Sequence, residues 1–239
     1  ISHKYMKKVA FIVPSTTNKR DEWKNIKDTF LWNILMKSLE DNPPVDCDIT
    51  LFIGYDEIDR VLSLKEQRLT CNAIYQNFKI EWISFNEDYK GKPTWIWNEL
   101  GRIAIDKGFD YIKVLGDDIV IPNDRAWLNS FINKLKKNDD IGFSSGWSNN
   151  NAIPTQFLIH RTHIDIFGFV YPQEIKNWGC DDWLYEVYPD KYRNWNKNIH
   201  LLNVGGEPRY EVEFNKRFIN AIVKRYKPKF NRFVSNKNK

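Results

Sequence analysis

Two pairs of adjacent carboxylates are the residues of this sequence best suited to catalysis. Asp117 and Asp118 directly follow a short apolar run, and Asp181 and Asp182 lie in a loop with glycine and tryptophan about 64 positions further along (117 to 181). A hard divalent cation binds carboxylate oxygens and usually carries a substrate's phosphates as well. The first pair therefore suggests a metal site, and two such pairs are difficult to explain by stability alone. The alternatives are a solvated turn for the first pair and a helix cap for Asp182.

The segments around the first pair predict a parallel α/β sheet. Short apolar runs alternate with stretches of helical spacing, which favours right-handed crossovers between parallel strands. Ligands of open α/β sheets bind outside the carboxyl ends of the strands, where Asp117 and Asp118 would then lie. The predicted strands are 9–13, 48–54, 80–85 and 111–115, and the predicted helices are 21–39, 62–77 and 93–108.

The second half of the chain has a mixed pattern. We predict helices at 124–136 and 163–169, a further helix that opens at Trp183, and strands at 141–145, 156–160 and 199–204. We expect one domain over 1–215, with a first half at about 7–121 and a second half at about 122–215. A basic C-terminal tail follows at 216–239, helical to about Lys224.

Composition narrows the possible partners. The chain has 239 residues and a net charge of +5, but nine of its 36 basic residues and none of its 31 acidic ones lie in the tail. The rest of the chain is weakly acidic, so nucleic acid is not expected as a partner and a metal-dependent nuclease is disfavoured. Three scattered cysteines, no apolar run of membrane-spanning length and no signal-peptide pattern predict a cytoplasmic protein.

The tail has apolar residues at helical spacing among its basic ones. Phe218, Ile219, Ile222 and Val223 fit an amphipathic segment. Such a segment could lie on an anionic membrane or dock on a partner or neighbouring domain. The alternative is a terminal helix that covers the core and ends in a disordered basic stretch.

Taken together, these segments resemble the GT-A glycosyltransferases, over roughly residues 8–204. The resemblance implies a Rossmann-like, mostly parallel sheet flanked by helices. It assigns nucleotide binding to the half at about 7–121 and the acceptor side to the mixed half at about 122–215. It also implies transfer of a sugar from a nucleoside diphosphate donor to a glycan or protein hydroxyl, with Mn²⁺ or Mg²⁺. The layout is also similar to small glycosyltransferases of large DNA viruses, which would place the protein in the host cytoplasm or with the virion. The residues that carry the resemblance are Pro14-Ser-Thr16, Gly54-Tyr-Asp56, Lys90-Gly-Lys-Pro-Thr94, Leu115-Gly-Asp-Asp-Ile119 and Trp178-Gly-Cys-Asp-Asp-Trp183.

The resemblance assigns the donor side of the site. Pro14, Ser15 and Thr16 match the loop that cups the nucleoside, and Asp56 matches the residue that accepts hydrogen bonds from the base, which favours a UDP-sugar. Lys92 sits where a helix N-terminus approaches the donor, so the amide dipole and the ammonium could both meet phosphate. A solvated lysine is the alternative.

The metal assignment follows the acidic signature of the family, Asp-X-Asp. This chain reads Gly116-Asp117-Asp118, so the first carboxylate is missing. Asp118 matches the metal ligand, and Asp117 matches the position that contacts the ribose or a metal-bound water. His200 lies where some members supply a further ligand, although a histidine in an apolar run is often a core residue.

The acceptor side follows the second acidic pair. Asp182 matches the general base of inverting members, and Asp181 the acidic residue before it. Trp178 and Trp147 are candidates for stacking on an acceptor sugar. A non-catalytic carbohydrate-binding module would explain the tryptophans but not the base. A sugar-nucleotide pyrophosphorylase or other nucleotidyltransferase needs a glycine-rich phosphate loop, which residues 13–18 lack.

Overall fold

The computed structural model describes residues 6–149 and 152–237. A π-helical segment, Leu31–Met36, leads into the first α-helix, and 3₁₀ turns lie at Ile26–Asp28, Glu87–Tyr89 and Asp190–Tyr192. The strands are β1 (Lys7–Ser15), β2 (Cys47–Asp56), β3 (Lys79–Phe85), β4 (Tyr111–Val114), β5 (Ile119–Val120), β6 (Phe143–Trp147), β7 (Leu158–His160), β8 (Arg193–His200) and β9 (Leu202–Asn203). The helices are α1 (Lys37–Asp41), α2 (Lys65–Ile74), α3 (Pro93–Asp106), α4 (Trp127–Lys136), α5 (Thr162–Phe167), α6 (Cys180–Val187) and α7 (Lys216–Lys237).

The main sheet has seven strands in the order β3-β2-β1-β4-β7-β6-β8. β7 runs antiparallel to both of its neighbours, and the other neighbouring pairs are parallel. β5 and β9 form a small separate antiparallel pair. This arrangement confirms the predicted mostly parallel α/β sheet and places the carboxyl ends of β1, β2 and β4 side by side.

The central strands carry apolar side chains on both faces, as parallel sheets covered by helices do. Phe11 and Leu51 belong to one core cluster, which also contains Trp127 of α4. Ile12 and Phe52, the next residues along each strand, belong to the other cluster, which contains residues of α3, α6 and α7. Because both faces of the sheet are packed, the strand ends from which the following loops begin are held in place.

Three predicted elements were wrong in extent. Residues 21–30 form turns, and the helix runs only from Leu31 to Asp41. β8 begins at Arg193, well before the strand predicted at 199–204, because its polar, half-exposed residues show no apolar pattern. α6 begins at Cys180, not at Trp183. Between the strands predicted at 141–145 and 156–160, residues 150 and 151 lie outside the described part of the chain.

The tail helix α7 extends beyond the predicted end, through Pro228 to Lys237. Its apolar face packs into the second core cluster through Ile219, Ile222, Val223 and Phe230. Within residues 6–149 and 152–237, no helix has the length and apolar character needed to cross a membrane. The apolar face of α7 thus covers the body of the protein, while its basic residues point outward.

Gly142, before β6, should not tolerate a side chain. Its φ is +102°, and an added Cβ would lie 2.1 Å from the Tyr192 carbonyl oxygen. We expect Gly142→Ala to lower the free energy of unfolding by ~2–4 kcal/mol, since strain and a backbone clash add. Gly108→Ala is the matched control, because Gly108 also has a positive φ (+84°) but open space around it; its cost should be ~1 kcal/mol. If urea denaturation showed the same decrease in the free energy of unfolding for both variants, the clash at Gly142 would be contradicted.

Candidate active site

A pocket of about 690 Å³ opens at the carboxyl ends of β1, β2 and β4. It brings the two acidic pairs together, although they lie far apart in the sequence. Trp147 and His200 are not among the residues that line it. The sequence-predicted residues that do are Pro14, Ser15, Thr16, Asp56, Lys92, Asp117, Asp118, Trp178, Asp181 and Asp182.

Asp117 lies at the floor of this pocket and is 1% exposed. Its carboxylate accepts a hydrogen bond from the Ser15 hydroxyl at 2.7 Å and two from the guanidinium of Arg209, one of them at 2.8 Å. Arg209 also donates to the Thr16 carbonyl at 2.8 Å. Burial alone would lower the pKa of Arg209, but the charge and hydrogen bonds of Asp117 outweigh it and raise that pKa. Sequence reasoning missed Arg209, a single arginine in an irregular segment.

The charge of Asp118 is compensated less fully than that of Asp117. Burial, and then the neighbouring charge of Asp117, raise the pKa of its carboxyl to about 6, while Arg209 opposes the shift. The carboxylate lies against the backbone at Gly205, where an added Cβ would come within 1.9 Å of Oδ2. The Val204 N–H donates to the Asp118 carbonyl at 3.0 Å and keeps this approach close. A partly buried carboxylate beside a second negative charge favours either a proton or a cation.

The residues present could hold a divalent cation only if most of its ligands came from substrate and water. In the described part of the chain, no three His, Cys, Asp or Glu side chains form a group that could hold a metal ion. The His200 ring packs on Trp147, with ring centroids 4.9 Å apart, away from the pocket lining. Mg²⁺-type cations often need only one or two carboxylates, because substrate phosphates and waters complete their shell. Asp118 fits that role.

Asp59, which the sequence analysis did not single out, holds the loop that is predicted to cup the nucleoside. Asp59 is buried and accepts hydrogen bonds from the Thr17 N–H at 2.7 Å and from the Thr17 hydroxyl at 3.0 Å. Thr16 Oγ1 lies 3.3 Å from both Asp59 and Asp56. Burial, followed by the charge of Asp59, raises the pKa of Asp56. Asp59 thus joins the loops after β1 and β2 and leaves Asp56 at the pocket wall.

Lys92 lines the pocket, but its ammonium already has protein partners. It donates to the Asp88 carbonyl at 2.6 Å and lies 4.0 Å from the centroid of the Trp95 ring. At the N-terminus of α3, the Thr94 N–H donates to the Lys176 carbonyl at 3.3 Å. The structure therefore shows part of the predicted phosphate-binding helix end in use by the protein itself.

The second acidic pair lies in the first turn of α6. The N-cap position is Gly179 and carries no side-chain cap bond, so the interpretation of Asp182 as a helix cap is wrong. Asp182 accepts a hydrogen bond from the Lys216 ammonium at 2.8 Å. Asp181 has a different environment: burial, and then the charge of Asp182, raise its pKa to about 7.

Two half-exposed aromatic rings stand beside this pair. Trp178 is 49% exposed and Phe214, which sequence reasoning missed, is 51% exposed, and both line the pocket. Large apolar side chains are usually buried, so exposed rings on the wall of a polar pocket are candidates for ligand contact.

The fold is similar to those of nucleotide-sugar glycosyltransferases. A mannosyltransferase from Pyrobaculum calidifontis in complex with GDP-Man and Mn²⁺ aligns with a TM-score of 0.56 at 12% identity, over 86% of this chain and 59% of that one. Glucosyl-3-phosphoglycerate synthase from Mycobacterium tuberculosis, in complex with Mn²⁺, UDP-glucose and glycerol 3-phosphate, aligns with a TM-score of 0.50 at 10% identity, over 94% and 79% of the two chains. A cytidylyltransferase from Leptospira borgpetersenii has a TM-score of 0.49 at 10% identity, over 92% and 94%.

No protein-family model matches the chain, and no curated protein matches it. The chain spans 59% of the length of the mannosyltransferase. At these identities the similarity shows a GT-A-like fold, which confirms the predicted fold class. The similarity to viral glycosyltransferases stays a prediction, because none of these structures bears on it.

The Asp117–Arg209 pair should contribute strongly to stability. Asp117→Asn keeps the shape but leaves a buried guanidinium without its counter-charge, so we expect unfolding to become easier by ~3 kcal/mol or more. Asp41→Asn is the control, because Asp41 pairs with Lys37 on an exposed helix surface and such pairs contribute ~0.5 kcal/mol or less. Chemical denaturation of both variants measures the difference, and a loss below ~1 kcal/mol in Asp117→Asn would contradict the assignment.

Proposed function

We propose that this protein is a metal-dependent glycosyltransferase that moves a sugar from a nucleoside diphosphate donor to a hydroxyl acceptor. The observation that carries the proposal is that the two acidic pairs line one pocket at the carboxyl edge of a GT-A-like sheet. Such a reaction needs charge compensation at the leaving diphosphate and a base at the attacking hydroxyl. We assign one pair to each task.

The donor nucleoside would bind on the wall formed by Pro14, Ser15, Thr16 and Asp56. Asp56 would accept hydrogen bonds from the base, and we favour uracil as that base. Support for a nucleotide sugar also comes from the solved structures of similar fold, of which one holds GDP-Man and another UDP-glucose. Asp117, fixed by Ser15 and Arg209, would meet the ribose or a metal-bound water from the pocket floor.

Asp118 would hold a Mn²⁺ or Mg²⁺ ion together with the donor's diphosphate. When bound, the cation would offset the charge that develops on the leaving group. The chain's own contribution is to keep Asp118 close to Gly205 and next to Asp117, whose charge is already matched by Arg209. A buried carboxylate whose pKa is raised gains most from a cation, so metal and donor should bind cooperatively.

Asp182 would take the proton from the acceptor hydroxyl, with inversion at the anomeric carbon. Lys216 holds the Asp182 carboxylate at the pocket wall. Asp181, whose pKa burial and then the charge of Asp182 raise to about 7, would position the hydroxyl through a hydrogen bond. Trp178 and Phe214 would offer their rings to a sugar of the acceptor, which favours a glycan or glycoprotein. Trp147 and His200 lie outside the pocket, and we give them no role.

The donor is tested by binding. UDP-sugars with Mn²⁺ should raise the melting temperature of the wild type more than GDP- or CDP-sugars at equal concentration, because ligands that bind the native state stabilise it by mass action. Asp118→Ala should abolish the Mn²⁺-dependent part of the shift, with little change in the unliganded melting temperature. A Mn²⁺-independent shift in both proteins would argue against the metal role, and no shift with any nucleotide sugar would overturn the proposed function.

The base is tested by rate. We expect Asp182→Asn to slow transfer by ~10²–10⁴-fold, the usual cost of losing a general base. Donor affinity measured by calorimetry should stay unchanged, because this carboxylate faces the acceptor side. Asp181→Asn is the matched variant and should slow transfer less. Full activity of Asp182→Asn, or a larger loss in Asp181→Asn, would move the base to Asp181.

A further inference from the structure

A lysine side chain lies within the sheet and has no part in the chemistry proposed above. Lys113 is the third residue of β4 and has no exposed surface. Its ammonium nitrogen lies 5.6 Å from the centroid of the Trp127 ring and 5.4 Å from that of Phe131. Burial lowers its pKa well below the ordinary value, and no carboxylate of the described residues pairs with it. An amine in such surroundings calls for a specific explanation.

The amine donates a hydrogen bond to the backbone carbonyl of Gln156. Gln156 has a φ of +56°, in the left-handed region that residues with a side chain rarely adopt. Its side-chain oxygen accepts a hydrogen bond from the Gly116 N–H at 3.0 Å. A single residue in an unusual conformation therefore links the buried lysine to Gly116.

Gly116 directly precedes Asp117 and Asp118, and Gln156 lines the same pocket as they do. We propose that Lys113 is a positioning residue that, through Gln156, fixes the turn of Gly116, Asp117 and Asp118 in the geometry that binds the donor. This inference rests on the proposed function. Residues that orient metal-binding and substrate-binding groups from behind are a common requirement of such sites.

Packing alone does not account for a lysine at this position. Ile112 and Val114, its neighbours in β4, are buried apolar residues. A methionine would fill the same space without desolvating an amine, which is unfavourable in apolar surroundings. The hydrogen bond to Gln156 is what lysine provides and methionine does not. That bond supports the strained backbone conformation from which the side chain reaches Gly116.

Three variants test the link between Lys113 and the acidic turn. Lys113→Met removes the donor, Gln156→Ala removes the acceptor of the Gly116 N–H, and the double variant removes both. With UDP and Mn²⁺ as the probe, we expect each single variant to raise the Kd by ~10-fold or more, the usual effect of losing an outer-shell partner. The Kd of the double variant should be no higher than that of the weaker-binding single variant, because the two residues act in one chain of contacts. In transfer assays the donor KM should rise while kcat changes little.

Ser144→Ala is the matched control. Ser144 is buried in β6 and donates to the Phe131 carbonyl at 2.9 Å, so it contacts the same helix as Lys113 without reaching the pocket. This variant should lower the melting temperature and leave the Kd for UDP unchanged. A purely structural role of Lys113 would give the same result as this control.

Amide hydrogen exchange at Gly116 gives a readout that needs no ligand. We expect Lys113→Met and Gln156→Ala to accelerate exchange at Gly116, and Ser144→Ala to leave it unchanged. A folded Lys113→Met with wild-type Kd and Gly116 exchange would overturn the inference, as would additive effects in the double variant. If Lys113→Met does not fold, unchanged Kd and exchange in Gln156→Ala overturn it. If the wild type binds no nucleotide, the proposed function fails, and unchanged Gly116 exchange would separately overturn the positioning role.

Discussion

The ion pair between Asp117 and Arg209 is the contact on which the pocket depends. It joins the end of β1, through Ser15 and Thr16, to the segment that leads into α7. Asp117 is buried and the Arg209 side chain is only 12% exposed, so removing either charge would leave the other largely desolvated and unpaired. The ring centroids of Trp23 and Phe30 lie 5.7 and 5.5 Å from the guanidinium carbon. The pocket floor is thus one electrostatic unit assembled from distant parts of the chain.

The same division of charge occurs in both acidic pairs. One member has a basic partner, Arg209 for Asp117 and Lys216 for Asp182. Among the described residues the other member forms no ion pair, and burial raises its pKa, to about 6 in Asp118 and about 7 in Asp181. Environments that separate two neighbouring carboxylates in this way are typical of sites that bind cations or transfer protons. The protein therefore compensates the charge of one carboxylate in each pair and leaves the pKa of the other raised.

The sheet and most of the pocket could be predicted from the sequence because they depend on local patterns. Apolar runs mark the central strands, and short polar motifs follow them in order. Spacing failed at residues 21–30, where Trp23, Ile26 and Thr29 are buried at steps of three in turns and a 3₁₀ turn, without an α-helix. Arg209 and Asp59 could not be predicted, since their partners lie far away in the sequence. The assignment of His200 as a metal ligand came from the resemblance, which does not show which way the end of a strand turns; its ring packs on Trp147, outside the pocket lining.

The contact between Asp118 and Gly205 has an evolutionary consequence. Gly205 and Gly206 together look like a flexible linker, a kind of segment in which substitutions usually accumulate freely. At position 205, however, the space that a methyl group would need is filled by a carboxylate oxygen. Selection at position 205 would act on the volume of the side chain and not on the flexibility of the backbone. A lineage that accepted alanine at this position would have to reshape its acidic turn, whereas Gly206, with open space around it, is free of that particular restriction.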